Sequence, residues 1–129
     1  MNNELIYTVE KLNKAVKRLV DGLKKSKDQL DRDGVIQRFE FTFELTWKSL
    51  RLFLLDQGIV VNSPKEAFKG AFRYGLIKEE KLFLDMLEDR DLTSHLYSQE
   101  ETREIFNRIK KSYSSALINL SRELKKLIS

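Results

Sequence analysis

The chain has 129 residues, 41% hydrophobic and 34% charged, with 5 Gly, 1 Pro and no Cys, so one ordinary domain over residues 1–129 is expected and a disordered chain is excluded. Without Cys there are no disulfides, thiolate nucleophiles, zinc fingers or iron–sulfur clusters, which fits a reducing cytoplasm; no apolar run nears the roughly 20 residues of a membrane span, and the start Met1-Asn2-Asn3-Glu4 lacks a signal-peptide pattern. Twenty-four basic residues against 20 acidic give a net charge of +4, which suits an acidic protein partner or nucleic acid and selects neither.

Periodicity is helical almost throughout. Leu5, Val9, Leu12, Val16, Leu19 and Leu23 recur at steps of four and three, predicting a first helix that stops near Lys27, with Lys11, Lys14, Lys17 and Arg18 on its other faces. Asp31 and Asp33 read as a solvated turn and cap before a long second helix, Val35 to Asp56. Its stripe is Phe39, Phe43, Trp47, Leu50 and Leu54, widened by Phe41, Leu45, Leu52 and Phe53, which predicts a central helix with neighbours on several sides. Gly58 marks its end. Ser63-Pro64-Lys65-Glu66 has the form of a capping box opening a short helix that Gly75 closes. A further helix carries Leu82, Met86 and Leu87 into the polar stretch Arg90–Tyr97, and Ser98-Gln99-Glu100-Glu101 is a second capping box. The last helix presents Ile105, Phe106, Ile109, Tyr113, Ala116, Leu117, Leu120, Leu124 and Leu127. The sum is an all-α, compact up-and-down bundle of about five helices. The long stripes of the two terminal helices suggest self-association.

The chain has no glycine-rich phosphate loop, no serine nucleophile elbow and no paired metal-binding histidines, and its acidic residues form no tight magnesium cluster, so neither a metal nor a cofactor is expected. One stretch stands out. Between Arg90 and Tyr97 lie Asp91, Thr93, Ser94 and His95, a permanent cation, a group that titrates near neutrality and several hydrogen-bonding side chains. On a helix Asp91 and His95, four apart, share a face, so the carboxylate can fix the imidazole tautomer. His95 then suits general acid–base work and Arg90 suits stabilising charge on a phosphate. Arg90 and His95 are about 140° apart on an ideal helix, so they converge only through a bend or a second subunit. The competing reading is structural: Asp91 and His95 bonded at a helix end, with Arg90 paired to Asp89 or Glu88. Arg103, Arg108, Lys110 and Lys111 read either as a solvated face or as an RNA path. Phe39, Phe43 and Trp47 have core spacing rather than that of a base-stacking platform.

Three segments carry a resemblance: Arg38-Phe39-Glu40-Phe41-Thr42-Phe43-Glu44-Leu45-Thr46-Trp47-Lys48, Ser63-Pro64-Lys65-Glu66 with Gly75-Leu76-Ile77 downstream, and Arg90-Asp91-Leu92-Thr93-Ser94-His95-Leu96-Tyr97. In this order they resemble the nucleotidyltransferase substrate-binding proteins of the HEPN superfamily, which includes HepT-type toxins. The family's Arg-x4-His-x-Tyr pattern falls on Arg90, His95 and Tyr97, with Asp91 where Asn is common. The resemblance implies a helical-bundle homodimer whose two Arg/His sets face each other, and a separately encoded minimal nucleotidyltransferase as partner. It further implies metal-independent RNA cleavage, with His95 moving protons, Arg90 stabilising the transition state and Asp91 orienting the site. Tyr97 is then the position at which the partner attaches AMP, adding charge and bulk that block RNA. The alternative within the same resemblance is a non-catalytic subunit that holds a nucleotide or substrate for the nucleotidyltransferase.

Overall fold

Leu5, Val9, Leu12, Val16 and Leu19 form the buried seam of helix α1 (Asn3–Lys25), which opens where the Asn2 side chain accepts from the Leu5 amide. The structure is a computed structural model that describes residues 2–96 and 98–129. Lys24 and Lys25 in the last turn of α1 complement the negative end of its dipole.

Helix α2 (Gln29–Asp56) starts six residues earlier than its apolar pattern suggests. Asp28 is the cap, accepting from the Asp31 amide at 2.9 Å, and Asp31 sits inside the first turn, where its carboxylate accepts from the Lys27 amide. Gly34 is therefore an interior helical residue. The central placement of α2 holds: it packs against α1, α3 (Pro64–Tyr74) and α5 (Gln99–Arg108). Thr42 and Thr46, buried toward α1, return their hydroxyl protons to the carbonyls of Arg38 and Thr42, so neither is left unsatisfied. Phe41, expected to widen the core stripe, is instead 53% exposed.

Local stop and start signals act as expected. Gly58, at φ +83°, lets the Ile59 and Gly58 amides close back on the Leu54 and Leu55 carbonyls, a complete Schellman closure. Gly75, at φ +99°, does the same for α3. Ser63 and Ser98 each accept from the amide three residues on, at 3.1 Å in both cases.

Helix α4 (Glu80–Leu92) passes into a 3₁₀ turn, Thr93–His95. The C-terminal rod is α5, a π turn (Ile109–Tyr113) and α6 (Ser114–Ile128), all in right-handed helical backbone. Its buried residues Ile105, Ile109, Tyr113 and Leu117 recur at steps of four, each about 40° beyond a full turn of a 3.6-residue helix. One wider turn, in which the Ser114 amide reaches the Ile109 carbonyl, absorbs the excess. The upper rod thereby faces α2 while α6 packs on α1.

An aromatic chain runs through the core: Tyr113 stacks on Phe39 at 5.8 Å, Phe39 meets Phe43, Phe43 meets Phe68 at 5.7 Å, and Phe68 meets Phe83 at 5.4 Å. It ties the rod, α2, α3 and α4 together. No strand occurs among the described residues, and none of their helices is long and apolar enough to cross a membrane. The stripe of α1 packs on both α2 and α6, and Leu127 at the end of the α6 stripe stays exposed. The unpartnered large apolar side chains include Leu30, Phe41 and Leu55, all on α2.

Candidate active site at the end of α4

The Arg90–His95 stretch straddles the change from α to 3₁₀ helix. Arg90 and Asp91 occupy the last turn of α4, and His95 closes the 3₁₀ turn. This change of helical type removes the four-residue face-sharing on which an Asp91–His95 bond depends. No hydrogen bond joins the two among the described residues; both are exposed, and Asp91 is engaged through its carbonyl, which accepts from Ser94 Oγ at 3.1 Å. Tyr97 lies outside the described residues.

Arg90 points at α2. Its Nη1 lies 3.3 Å from Glu40 Oε2 and 3.4 Å from Thr93 Oγ1, and its Nε lies 3.8 Å from Glu44 Oε1. Nε is buried and makes no hydrogen bond. These partners replace Asp89 and Glu88, the neighbours that sequence spacing offers. Thr93 Oγ1 has a single proton and two acceptors in reach, Glu40 Oε2 at 2.9 Å and the Arg90 carbonyl at 2.7 Å. Glu44 is also held by the Trp47 indole, which donates at 3.1 Å. The side chain of Arg90 is 27% exposed, so the cation is partly shielded yet open to a ligand.

Asp89, the residue before Arg90, turns to the opposite side of α4 and is buried. Arg108 grips it with both arms, Nε to Oδ2 at 2.7 Å and Nη2 to Oδ1 at 2.9 Å, and the Tyr113 hydroxyl donates to Oδ2 at 2.5 Å. The hydrogen bond to Asp89 raises the Arg108 pKa further above its already high value. Burial first, then the bond to the Asp89 carboxylate, hold the Tyr113 phenol far above the ordinary tyrosine range. Tyr113 ends the π turn, so the irregularity in the rod places the hydroxyl that locks α4. Arg108, expected to be solvated or to line an RNA path, is a structural clamp.

The two arginines contrast. Arg108 holds one carboxylate through two short bonds; Arg90 has looser contacts to two and an Nε without a hydrogen bond. Arg90, a planar cation held loosely and partly exposed, can take a phosphate oxyanion, and the exposed His95 imidazole at the end of the adjoining 3₁₀ turn can move a proton. A cleft of about 370 Å³ opens alongside, lined by Gln29, Asp33, Ile36, Thr93, Leu96, Ser98, Gln99 and Thr102. Two amides and three hydroxyls there supply donors and acceptors for a base or ribose.

Glu40, Glu44 and the Asp89–Arg108–Tyr113 clamp are absent from the sequence-derived site, and Thr93, though inside the Arg90–Tyr97 stretch, has no role assigned there. The available signal is two acids four apart, Glu40 and Glu44, beside the buried Phe39 and Phe43.

A family model described as nucleotidyltransferase substrate binding protein like matches residues 7–126. A Haemophilus influenzae protein named "Probable ribonuclease HepT" is 31% identical over 81 residues, which cover 59% of this chain and 56% of that protein. The match thus spans little more than half the length of that curated relative. Among solved structures, a Thermus thermophilus protein superposes with a TM-score of 0.83 at 34% identity, covering 88% of this chain and 98% of its own. A Haemophilus influenzae protein described as the fold of a substrate binding domain of a nucleotidyltransferase superposes with a TM-score of 0.66 at 23% identity, covering 95% and 98%, a likeness of fold.

Proposed function

Because this chain belongs to the nucleotidyltransferase substrate binding protein like family, we propose that it is the toxin-like ribonuclease subunit of a two-gene module, paired with a separately encoded minimal nucleotidyltransferase. The observation that carries the reading is the loosely held, partly exposed Arg90 guanidinium in the last turn of the helix whose 3₁₀ extension carries the exposed His95. The printed name of the Haemophilus relative supports the same chemistry. The ribose 2′-oxygen attacks the adjacent phosphorus, its proton passes to an imidazole, and the bond to the 5′-oxygen breaks as that oxygen takes a proton. The products are a 2′,3′-cyclic phosphate and a free 5′-hydroxyl. No metal is used by any group assigned here.

His95 carries the proton transfers, and Arg90 stabilises the charge that builds on the phosphoryl oxygens. Asp91, whose carboxylate is unbonded among the described residues, orients the site, the role the family resemblance implies. A homodimer supplies the second imidazole, so that one His95 acts as base and the other as acid. Tyr97 is the site of regulatory nucleotidylation by the partner, which blocks RNA by charge and bulk.

A second reading is favoured by the amide- and hydroxyl-lined cleft: a non-catalytic subunit that holds a nucleotide for the nucleotidyltransferase. The two separate in one experiment, cleavage of a mixed RNA by purified protein in EDTA, wild type against His95→Ala. Loss of about 100-fold or more in rate is expected, the low end of what a general acid–base group contributes. Because His95 is exposed, the variant keeps its fold, and its oligomeric state is measured alongside the rate. An unchanged rate refutes the assignment of His95. No cleavage by wild type, with AMP bound, selects the binding subunit. A mass increase of one AMP on Tyr97 after incubation with partner and ATP tests the regulatory role.

A further inference from the structure

We propose that Glu40 and Glu44 are positioning and specificity-determining residues for Arg90, forming with Thr93 an acidic cradle from which a phosphate must displace one carboxylate before it can engage the guanidinium. The inference rests on Arg90 being the phosphate ligand of the site proposed above.

Two carboxylates and one guanidinium leave the cradle with one net negative charge, counted over Glu40, Glu44 and Arg90. A second oxyanion therefore meets repulsion as well as attraction. The two acids differ in how they are held. Glu44 is fixed from the far side by the Trp47 indole at 3.1 Å, a neutral donor that a ligand does not disturb. Among the described residues Glu40 is held by Arg90 and Thr93 alone. Glu40 is thus the one that leaves and Glu44 the one that keeps Arg90 aimed.

Thr93 links this exchange to His95. Its hydroxyl proton goes either to Glu40 or to the Arg90 carbonyl. While Glu40 accepts it, the turn is tied to α2; once Glu40 is displaced, the proton returns to the Arg90 carbonyl at the helix end. Thr93 opens the 3₁₀ turn that His95 closes, so filling the phosphate site changes the anchorage of the imidazole two residues away. The cradle also filters ligands. Charge alone gives little affinity at a net-negative site, so a ligand must add contacts in the adjoining cleft, as a nucleotide or oligonucleotide does and inorganic phosphate does not.

The test compares wild type with Glu40→Gln, Glu40→Ala and Glu44→Gln. Binding is read with AMP and with a labelled 2′-O-methyl oligonucleotide, which keeps the phosphates but lacks the attacking hydroxyl; kcat is read on the matching RNA. Removing one neighbouring charge should tighten Kd for the inert oligonucleotide by roughly three- to tenfold at low salt in Glu40→Gln. The amide oxygen of Gln still accepts from Thr93 and Arg90, so kcat should fall less in Glu40→Gln than in Glu40→Ala, where a loss of about tenfold is expected. Glu44→Gln should tighten binding less, since its Trp47 contact persists. Unchanged Kd and kcat in all three variants, with altered melting temperature or not, overturn the cradle. So does the absence of any binding to wild type and Glu40→Gln alike. Tighter binding by Glu40→Gln with no cleavage by any variant supports the cradle and removes the ribonuclease reading. Cleavage by wild type with identical Kd in Glu40→Gln does the reverse.

Discussion

Replacing Tyr113 with Phe removes one oxygen from a buried site and leaves the ring stacked on Phe39 at 5.8 Å. The lost contact is the hydrogen bond to the buried Asp89 carboxylate, worth about 1.5–3 kcal/mol for a bond to a charged group. The cavity left by a hydroxyl is small, and Arg108 still holds both carboxylate oxygens, so the upper end of that range is the ceiling. An unfolding entropy of about 2.1 cal/mol/K per residue over 129 residues is about 0.27 kcal/mol/K, so the melting temperature should fall by about 6–11 °C. The pH dependence is the sharper signature. Because the folded chain holds the phenol proton more tightly than the unfolded chain, this stabilisation is complete below about pH 10 and declines by about 1.4 kcal/mol per pH unit above it. Urea unfolding of wild type and variant from pH 7 to 11 measures both. The gap should be constant to about pH 9.5 and then narrow; a gap that widens with pH, or melting temperatures within 2 °C at pH 7, would refute the account of the clamp.

Phe39→Ala breaks the aromatic chain at a fully buried position touching both Phe43 and Tyr113, and should cost about 3–5 kcal/mol in denaturant unfolding. Gly75→Ala forces a side chain into φ +99° and should destabilise by about 1–2 kcal/mol, although a Cβ there meets no neighbour within 4 Å. Ser63→Ala removes the cap of α3 and should cost about 1 kcal/mol, read as a urea midpoint lower by about 0.3–1 M at an m-value of about 1–3 kcal/mol/M. Asp89→Asn keeps the shape of the clamp but loses its charge; it should lower stability by more than Tyr113→Phe, and equal effects would argue that Arg108 contributes nothing.

What the sequence disclosed follows from the range of the interaction involved. Ser63 with Glu66, Ser98 with Glu101 and the stops at Gly58 and Gly75 act across a few residues, so their spacing is their signal. The start of α2 lies beyond the reach of its apolar pattern because Asp28, Asp31 and Asp33 are all good caps and only the backbone decides among them. Phe41 has core spacing yet is exposed because α2 carries apolar residues on several sides, which leaves periodicity unable to name the face that stays open. At the site, Arg90, Asp91 and His95 were legible as a group, but their partners were not. Thr93 and Glu40 are 53 residues apart and Asp89 and Tyr113 are 24 apart; no rule of local spacing reaches that far. The break from α to 3₁₀ helix after Leu92 also separated Asp91 from His95, which an unbroken helix pairs.

The π turn holds one residue more than a continuous α-helix needs between its two docking faces. Twelve residues separate Ile105 from Leu117, and at about 100° each they would overshoot three full turns by about 120°, which the wider turn takes up. Taking out one of its exposed residues, Lys110 or Lys111, would leave eleven, about 20° beyond three turns, so the chain could wind as uninterrupted α-helix with Ile105 still toward α2 and Leu117, Leu120 and Leu124 still toward α1. Adding a residue there would instead turn one face about 100° away from its neighbour, because one rigid cylinder cannot satisfy both docking faces in the wrong phase. A one-residue deletion between Ile109 and Tyr113 is therefore the length change this rod absorbs best, and that turn is where chains sharing the arrangement can differ by one residue while both faces stay aligned.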